Sequence, residues 1–234
     1  MRTLKNFLPI IMLGMTIVSF SACDGILDGI YDEEASDDTG ESDETTTTGA
    51  EYGFISVNKS TSSGTLYIVS TDYYLWTLID FHTLSIDSLE IDTSLEDPFD
   101  DSITDWDIAV HRYDARTNDG AAIETDYTEL SELTEIPSGT YVSDEWTDET
   151  VYVDMSQMLD GIIGYSECYV NTELSKWIDV DLSNMPPVYT LSNKVYVVRF
   201  SDGTYCALKL SNYMKNGGST KGYLTIDYIY PFEP

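Results

Sequence analysis

Positive charge is scarce in this chain. Only 11 Lys and Arg stand against 42 Asp and Glu in 234 residues, a net charge of −31. Such a balance repels phosphate backbones and anionic membrane surfaces, so nucleic acid is not expected as a partner. Histidine is rarer still, with two residues, and the three cysteines contain no C-x-x-C pair, which removes the usual zinc spacings. There is no G-x-S-x-G, no H-E-x-x-H and no phosphate loop, so no catalytic set is recognisable and an enzyme is not expected. Acidic pairs such as Asp100-Asp101 are too common here to single out a site. The segment Asp92–Asp107 carries seven acidic residues but lacks the regular calcium loop with its glycine.

One apolar run exists, Phe7–Phe20, and it is short for a membrane span. Arg2 and Lys5 precede it, and Ser21-Ala22-Cys23 follows. A short basic stretch, an apolar run and small residues before a cysteine form the bacterial lipoprotein pattern. Residues 1–22 are therefore expected to be a signal peptide, with lipidation at Cys23. Each buried methylene of the acyl chains would contribute about 0.8 kcal/mol to membrane attachment. Asp24–Ala50 contains ten acidic residues and no Lys or Arg. Such a stretch buries too little apolar surface to offset its ordering entropy, so residues 23–50 are expected to be a tether. Residues 51–234 have the length of one domain.

That domain reads as all-β and mostly antiparallel. Val, Ile, Thr and Tyr alternate with polar residues in short runs. The expected strands are Phe54–Asn58, Thr65–Ile68, Trp76–Asp80, Trp106–Tyr113, Val151–Asp154, Trp177–Asp181, Lys194–Phe200, Tyr205–Ser211 and Tyr223–Tyr230. Ser201-Asp202-Gly203 is a turn joining two of them into a hairpin, and Lys215-Asn216-Gly217-Gly218 marks another turn. Cys168 and Cys206 form a possible disulfide in an exported chain or remain two separate buried thiols.

Two blocks carry more than composition does. Asp105-Trp-Asp-Ile-Ala-Val-His-Arg-Tyr-Asp114 is the first, and Tyr189-Thr-Leu-Ser-Asn-Lys-Val-Tyr-Val-Val-Arg-Phe-Ser-Asp-Gly203 is the second. A closing strand, Tyr223-Leu-Thr-Ile-Asp-Tyr-Ile-Tyr-Pro231, completes the pattern. Together they resemble the HmuY-like haem-binding lipoproteins, or haemophores, of Bacteroidetes. The resemblance covers roughly residues 51–234. It implies an all-β fold with little helix and a surface protein that binds haem b. The haem would be taken from host haemoproteins or free pools and passed to a TonB-dependent outer-membrane receptor. The acidic run after Cys23 also resembles the signal that sends such lipoproteins to the cell surface. A lipoprotein adhesin or glycan-binding module, with Trp76, Trp146, Trp177 and tyrosines stacking on sugars, is the alternative.

The family holds iron with a pair of histidines in one branch and a pair of methionines in another. Alternation in Trp106–Asp114 puts His111 on a face with Asp107, Ala109 and Tyr113; the resemblance implies that this block is a structural strand, with the ligands further along. His82 sits in the polar stretch Asp80-Phe81-His82-Thr83 and has no partner at useful spacing in the sequence. The resemblance instead points to the weakly matched middle. Met158, in Asp154–Gly161, and Met185, in Asn184–Tyr189, are the expected axial ligands, with Met155 as reserve for the first. Pro186 and Pro187 stiffen the second loop by fixing φ. Two thioethers are soft, neutral donors that favour ferrous haem. Ile162, Ile163, Tyr165, Trp177 and Tyr141 are candidate pocket walls, and Lys176, Lys194 and Arg199 candidate propionate partners.

Overall fold

The computed structural model describes residues 45–92, 97, 99, 103–154, 157–162, 164–181, 183 and 186–234. Among them lie sixteen strands, three short 3-10 turns and no α-helix. In chain order the first strands are β1 (Thr45–Ala50), β2 (Gly53–Asn58), β3 (Ser63–Val69), β4 (Leu75–Asp80) and β5 (Ser85–Glu90). Next come β6 (Ile108–His111), β7 (Asp114–Thr117), β8 (Ala121–Glu124) and β9 (Val142–Ser143). Two hairpins follow, β10 (Glu145–Asp154) with β11 (Gly164–Val170), and β12 (Ile178–Asp181) with β13 (Val188–Leu191). The last strands are β14 (Tyr196–Arg199), β15 (Tyr205–Met214) and β16 (Lys221–Ile229). One sheet has the order β1-β2-β3-β16-β15-β14-β8-β9, a second β5-β4-β6-β7, and every pairing is antiparallel. The architecture is the all-β, mostly antiparallel one that the sequence predicts.

Period-two patterning builds the main sheet. Along β16, Leu224, Ile226 and Tyr228 are buried while Thr225, Asp227 and Ile229 are half-buried on the other face. The inward side chains meet Ile79, Ile108 and Val110 of the second sheet in the principal core, which also holds Trp177, Tyr196 and Leu208. Each such side chain, fully buried, contributes roughly 1.5–3 kcal/mol. A second cluster covers the opposite face of the four-stranded sheet, where Trp76, Leu78 and Ala109 pack against Val151, Cys168 and Val170 of the β10–β11 hairpin. The expected hairpin turn at Ser201–Gly203 is present, with Gly203 at φ 89° and Asp202 accepting from the Thr204 amide at 2.9 Å. Cys168 and Cys206 are free, buried thiols in different clusters, so no disulfide joins them.

Three expectations change. The strand drawn over Trp106–Tyr113 is only Ile108–His111, because Arg112 takes φ 53° and the chain reverses at once into β7. That left-handed position is held by bonds from the Arg112 guanidinium to the Ser70 and Thr71 carbonyls at 3.1 and 2.8 Å. Gly222 makes room for it: a Cβ there would lie 2.8 Å from the guanidinium and 2.9 Å from the Ser70 carbonyl. The β1–β2 hairpin crosses the boundary expected after Ala50, pairing Thr45 with Asn58 through Ala50 with Gly53. Strands β5, β7, β8, β9, β11 and β13 are also additional; Ser85–Glu90 and Asp114–Thr117 are too polar to announce themselves by apolar content. The signal peptide and Cys23 lie outside the described residues.

Candidate functional site

Two hairpins stand apart from the two larger sheets, since each of β10–β11 and β12–β13 pairs only with itself. The β11 strand buries Ser166, Cys168 and Val170 against the second core cluster and turns Tyr165, Glu167 and Tyr169 outward. Its connection to β10 contains a 3-10 turn, Met158–Asp160, closed by Asp160 and Ile162 amides that both donate to the Gln157 carbonyl at 2.9 and 3.2 Å. Gly161 follows at φ 76°, a left-handed conformation that glycine adopts without Cβ strain. Two large apolar side chains are presented to solvent there: Leu159 is 97% exposed and Ile162 56%. Met158 opens this turn, but its side chain lies outside the described residues, as does the whole of Met155.

The β12–β13 hairpin is regular, running from Ile178 opposite Leu191 to Asp181 opposite Val188. Met185 belongs to its connecting segment and lies outside the described residues. The residues just after it are informative. The Pro187 carbonyl accepts a hydrogen bond from Lys221 Nζ at 3.1 Å, and the same ammonium sits 3.6 Å over the Tyr189 ring. Tyr189 stacks on Tyr213 at 5.6 Å and meets Tyr113 edge-on at 5.2 Å. Arg112 lies over Tyr73 and Tyr113 at 4.4 and 5.5 Å. Burial raises the pKa of the Tyr113 and Tyr189 phenols, so both are neutral at neutral pH. In a chain so poor in cations, two of them converge on tyrosine rings beside this connection.

These are not the cations expected from sequence. Lys176 is paired with Glu173, Lys194 bonds the Asp126 carbonyl at 3.2 Å, and Arg199 lies over Tyr141 at 5.5 Å. Of the expected walls, Trp177 is fully buried in the principal core, with its indole N–H donating to the Tyr113 carbonyl at 2.7 Å. Tyr141 packs on Tyr205 against a smaller third cluster formed by Leu133, Val195, Val197, Ala207 and Phe232. Tyr165 and Ile162 are exposed on the first hairpin, and Ile163 lies outside the described residues. Sequence reasoning missed Lys221 and Arg112, although Arg112 stands inside the first motif block and Lys221 two residues before the closing strand motif. Within that block the histidine is the chemically conspicuous residue, and nothing local marks the arginine next to it.

His111 is enclosed, as expected of a structural histidine. It is fully buried, its Nε2 lies 2.9 Å from the Tyr73 carbonyl, and burial lowers its pKa to about 4. Of the tryptophans proposed for sugar stacking, Trp76 and Trp177 are buried, and only Trp146 is exposed, edge-on to Tyr169 at 5.2 Å. Among the described residues no helix is long and apolar enough to cross a membrane.

The HmuY protein family profile matches residues 72–228. No curated protein matches the chain. Among solved structures, a protein of Bacteroides vulgatus named as an HmuY-like haem-binding protein is 54% identical; the match covers 79% of this chain and all of that one, with TM-score 0.70. A Bacteroides fragilis protein named as a lipoprotein is 46% identical over 80% of this chain and 99% of its own, with TM-score 0.72. The apo HmuY analogue of Tannerella forsythia is 27% identical over 81% of this chain and 97% of its own, with TM-score 0.58.

Proposed function

The chain belongs to the HmuY family, and from that premise we propose that it binds haem at the tips of the β10–β11 and β12–β13 hairpins. In this reading Met158 from the first tip and Met185 from the second hold the iron, with Met155 as the alternate first donor. The observation that carries it is that both expected donors belong to connecting segments of hairpins that pair with nothing else. The surroundings fit the group. Leu159 and Ile162 offer exposed apolar surface next to Met158 in the chain, and Lys221 supplies a cation at the Pro187 carbonyl, two residues after Met185 in the sequence. Haem bound by two thioethers would be held more firmly in its ferrous state.

The protein's own contribution is positioning. Pro186 and Pro187 restrict the backbone that follows Met185, and the register of β12–β13 fixes where that loop leaves the sheet. Lipidation at Cys23 and the acidic tether of residues 23–44 would place the domain at the outer-membrane surface. There it would take haem from host haemoproteins or free pools and pass it to a TonB-dependent receptor.

A haem titration of the protein, followed by absorption spectroscopy with and without dithionite, tests this. The expected result is a sharp six-coordinate low-spin ferrous spectrum, weaker or absent when oxidised, and lost in the Met158→Ala, Met185→Ala double variant. An unchanged spectrum in that variant would overturn the ligand pair. Absence of saturable binding in either oxidation state would overturn haem binding and leave the glycan-binding alternative at Trp146. Replacing Cys23 by Ala should release the protein from membranes, read by fractionation of cells.

A further inference from the structure

His82 does not serve the hairpin tips; it stands in the loop between β4 and β5, half-exposed, between three carboxylates. Its Nδ1 lies 3.1 Å from Asp107 Oδ2 and 3.7 Å from Asp80 Oδ1. Its Nε2 lies 3.0 Å from Asp202 Oδ2, on the turn between β14 and β15. The Asp80 and Asp107 side chains are about nine-tenths buried, at 12% and 10% exposure. Among the described residues this is the one His, Cys or acidic triad whose donor atoms all lie within 4.8 Å of each other.

We propose that Asp80, His82 and Asp107 form a binding site for a divalent transition-metal ion, with Asp202 orienting the imidazole. Three arguments lead there. First, donors at about 2.0–2.2 Å from a tetrahedral ion stand a little over 3 Å from one another, and the two distances from Nδ1 bracket that spacing. Second, both carboxylates are already placed. Asp80 accepts from the His82 and Thr83 amides at 2.7 and 3.0 Å and from the Thr83 hydroxyl at 2.7 Å. Asp107 accepts from the Phe81 amide at 2.7 Å. Third, an imidazole that ligates through one nitrogen characteristically donates its other N–H to a carboxylate, which is the relation of His82 Nε2 to Asp202. The nitrogen donor and the low ligand count favour a transition metal over calcium, which takes six to eight oxygens. The exposed side of His82 leaves room for water to complete the coordination. In the metal-free protein the His82 imidazole contacts both carboxylates, and the hydrogen bonds that Asp202 and Asp107 accept from it raise the His82 pKa against desolvation.

Calorimetric titration of the haem-free full chain with Zn²⁺ at neutral pH tests the assignment independently of haem binding. One saturable site is expected, lost in His82→Gln and weakened about 10- to 100-fold in Asp202→Asn. The chain has only one other histidine, and it is enclosed, so imidazole-dependent binding reports on His82. Asp202 lies on an exposed turn, so its variant keeps the fold. Binding that survives His82→Gln, or no saturable site at all, would overturn the proposal. Equal competition by Ca²⁺ would overturn the transition-metal assignment.

Discussion

The β15–β16 ladder and the two separate hairpins are built from the same kinds of residue, yet they answer to different constraints. In the ladder, Leu208, Leu210, Leu224, Ile226 and Tyr228 are all buried between the two sheets. A one-residue slip would turn that whole set toward solvent, so packing fixes both sequence and register. In the hairpins only one face is committed. Cys168 and Val170 close the second core cluster, while Tyr165 and Tyr169 face outward, and Leu159 is left almost wholly exposed. The scaffold is held by burial, and the hairpins keep a face that burial does not claim. That free face is where a ligand can be recognised without cost to the fold.

The largest expected effect comes from the scaffold side. Trp177→Ala removes a fully buried indole and leaves the Tyr113 carbonyl without its donor. A loss of about 3–5 kcal/mol is expected in denaturant unfolding. If the hairpins and core were equally constrained, substitutions at Leu159 would cost as much; they should not.

His111 sharpens the comparison through pH. Its folded-state pKa is depressed from 6.5 to about 4 because burial penalises the imidazolium. The unfolded chain therefore binds the proton first. The stability this residue contributes is present above pH 6.5 and is lost as pH falls from there toward 4, with a slope of up to about 1.4 kcal/mol per pH unit. Unfolding measured across that window should show a flatter slope in His111→Leu than in the unmodified protein. The readout is the difference between the two proteins, so other titrating carboxylates cancel. A steeper or equal slope in the variant would show that His111 is not the group responsible.

How much of this was legible follows the same division. The hairpin across Ser201–Gly203 and the β16 strand could be read because each pairs alternation with an unambiguous turn or a long buried face. The end of β6 could not, because the residue that turns the chain is Arg112, not glycine. Its left-handed backbone is stabilised by carbonyls from residues 70 and 71, more than forty positions earlier. Strand Asp114–Thr117 escaped notice for a related reason: its burial comes from tertiary packing of Ala115, Arg116 and Thr117, not from an apolar run. At the candidate site, the methionine segments are proposed from their place between two motif blocks. The cations were not, because which lysine reaches the Pro187 carbonyl is set by the pairing of β15 with β16, a relation that local sequence does not contain. His82 shows no useful partner in the sequence because its carboxylate neighbours Asp107 and Asp202 lie 25 and 120 positions away.

Lys221 tests whether the hairpin side carries recognition. Its ammonium contacts the Pro187 carbonyl and the Tyr189 ring and is only half-buried. Lys221→Ala should cost about 0.5–1 kcal/mol in stability, the value of an exposed cation–π contact. If Lys221 neutralises a propionate, the same change should weaken ferrous haem binding about fivefold, or about 1 kcal/mol. Lys176→Ala, which breaks only the contact with Glu173, should leave haem affinity unchanged and so serves as the matched control.

The smallest effect on the fold should come from Leu159, and that is what makes it the most discriminating. A side chain 97% exposed contributes almost nothing to the native core, so Leu159→Ser should shift unfolding by no more than about 0.5 kcal/mol. A large apolar side chain standing in water beside Met158 is, however, surface available to an apolar ligand. Covering half of it would contribute about 1 kcal/mol, so the variant should bind ferrous haem about fivefold more weakly while unfolding as before. Loss of affinity without loss of stability would place the ligand at the β10–β11 tip. Unchanged affinity would mean that this tip does not cover the haem, and the division between a buried scaffold and a ligand-facing hairpin would then rest on β12–β13 alone.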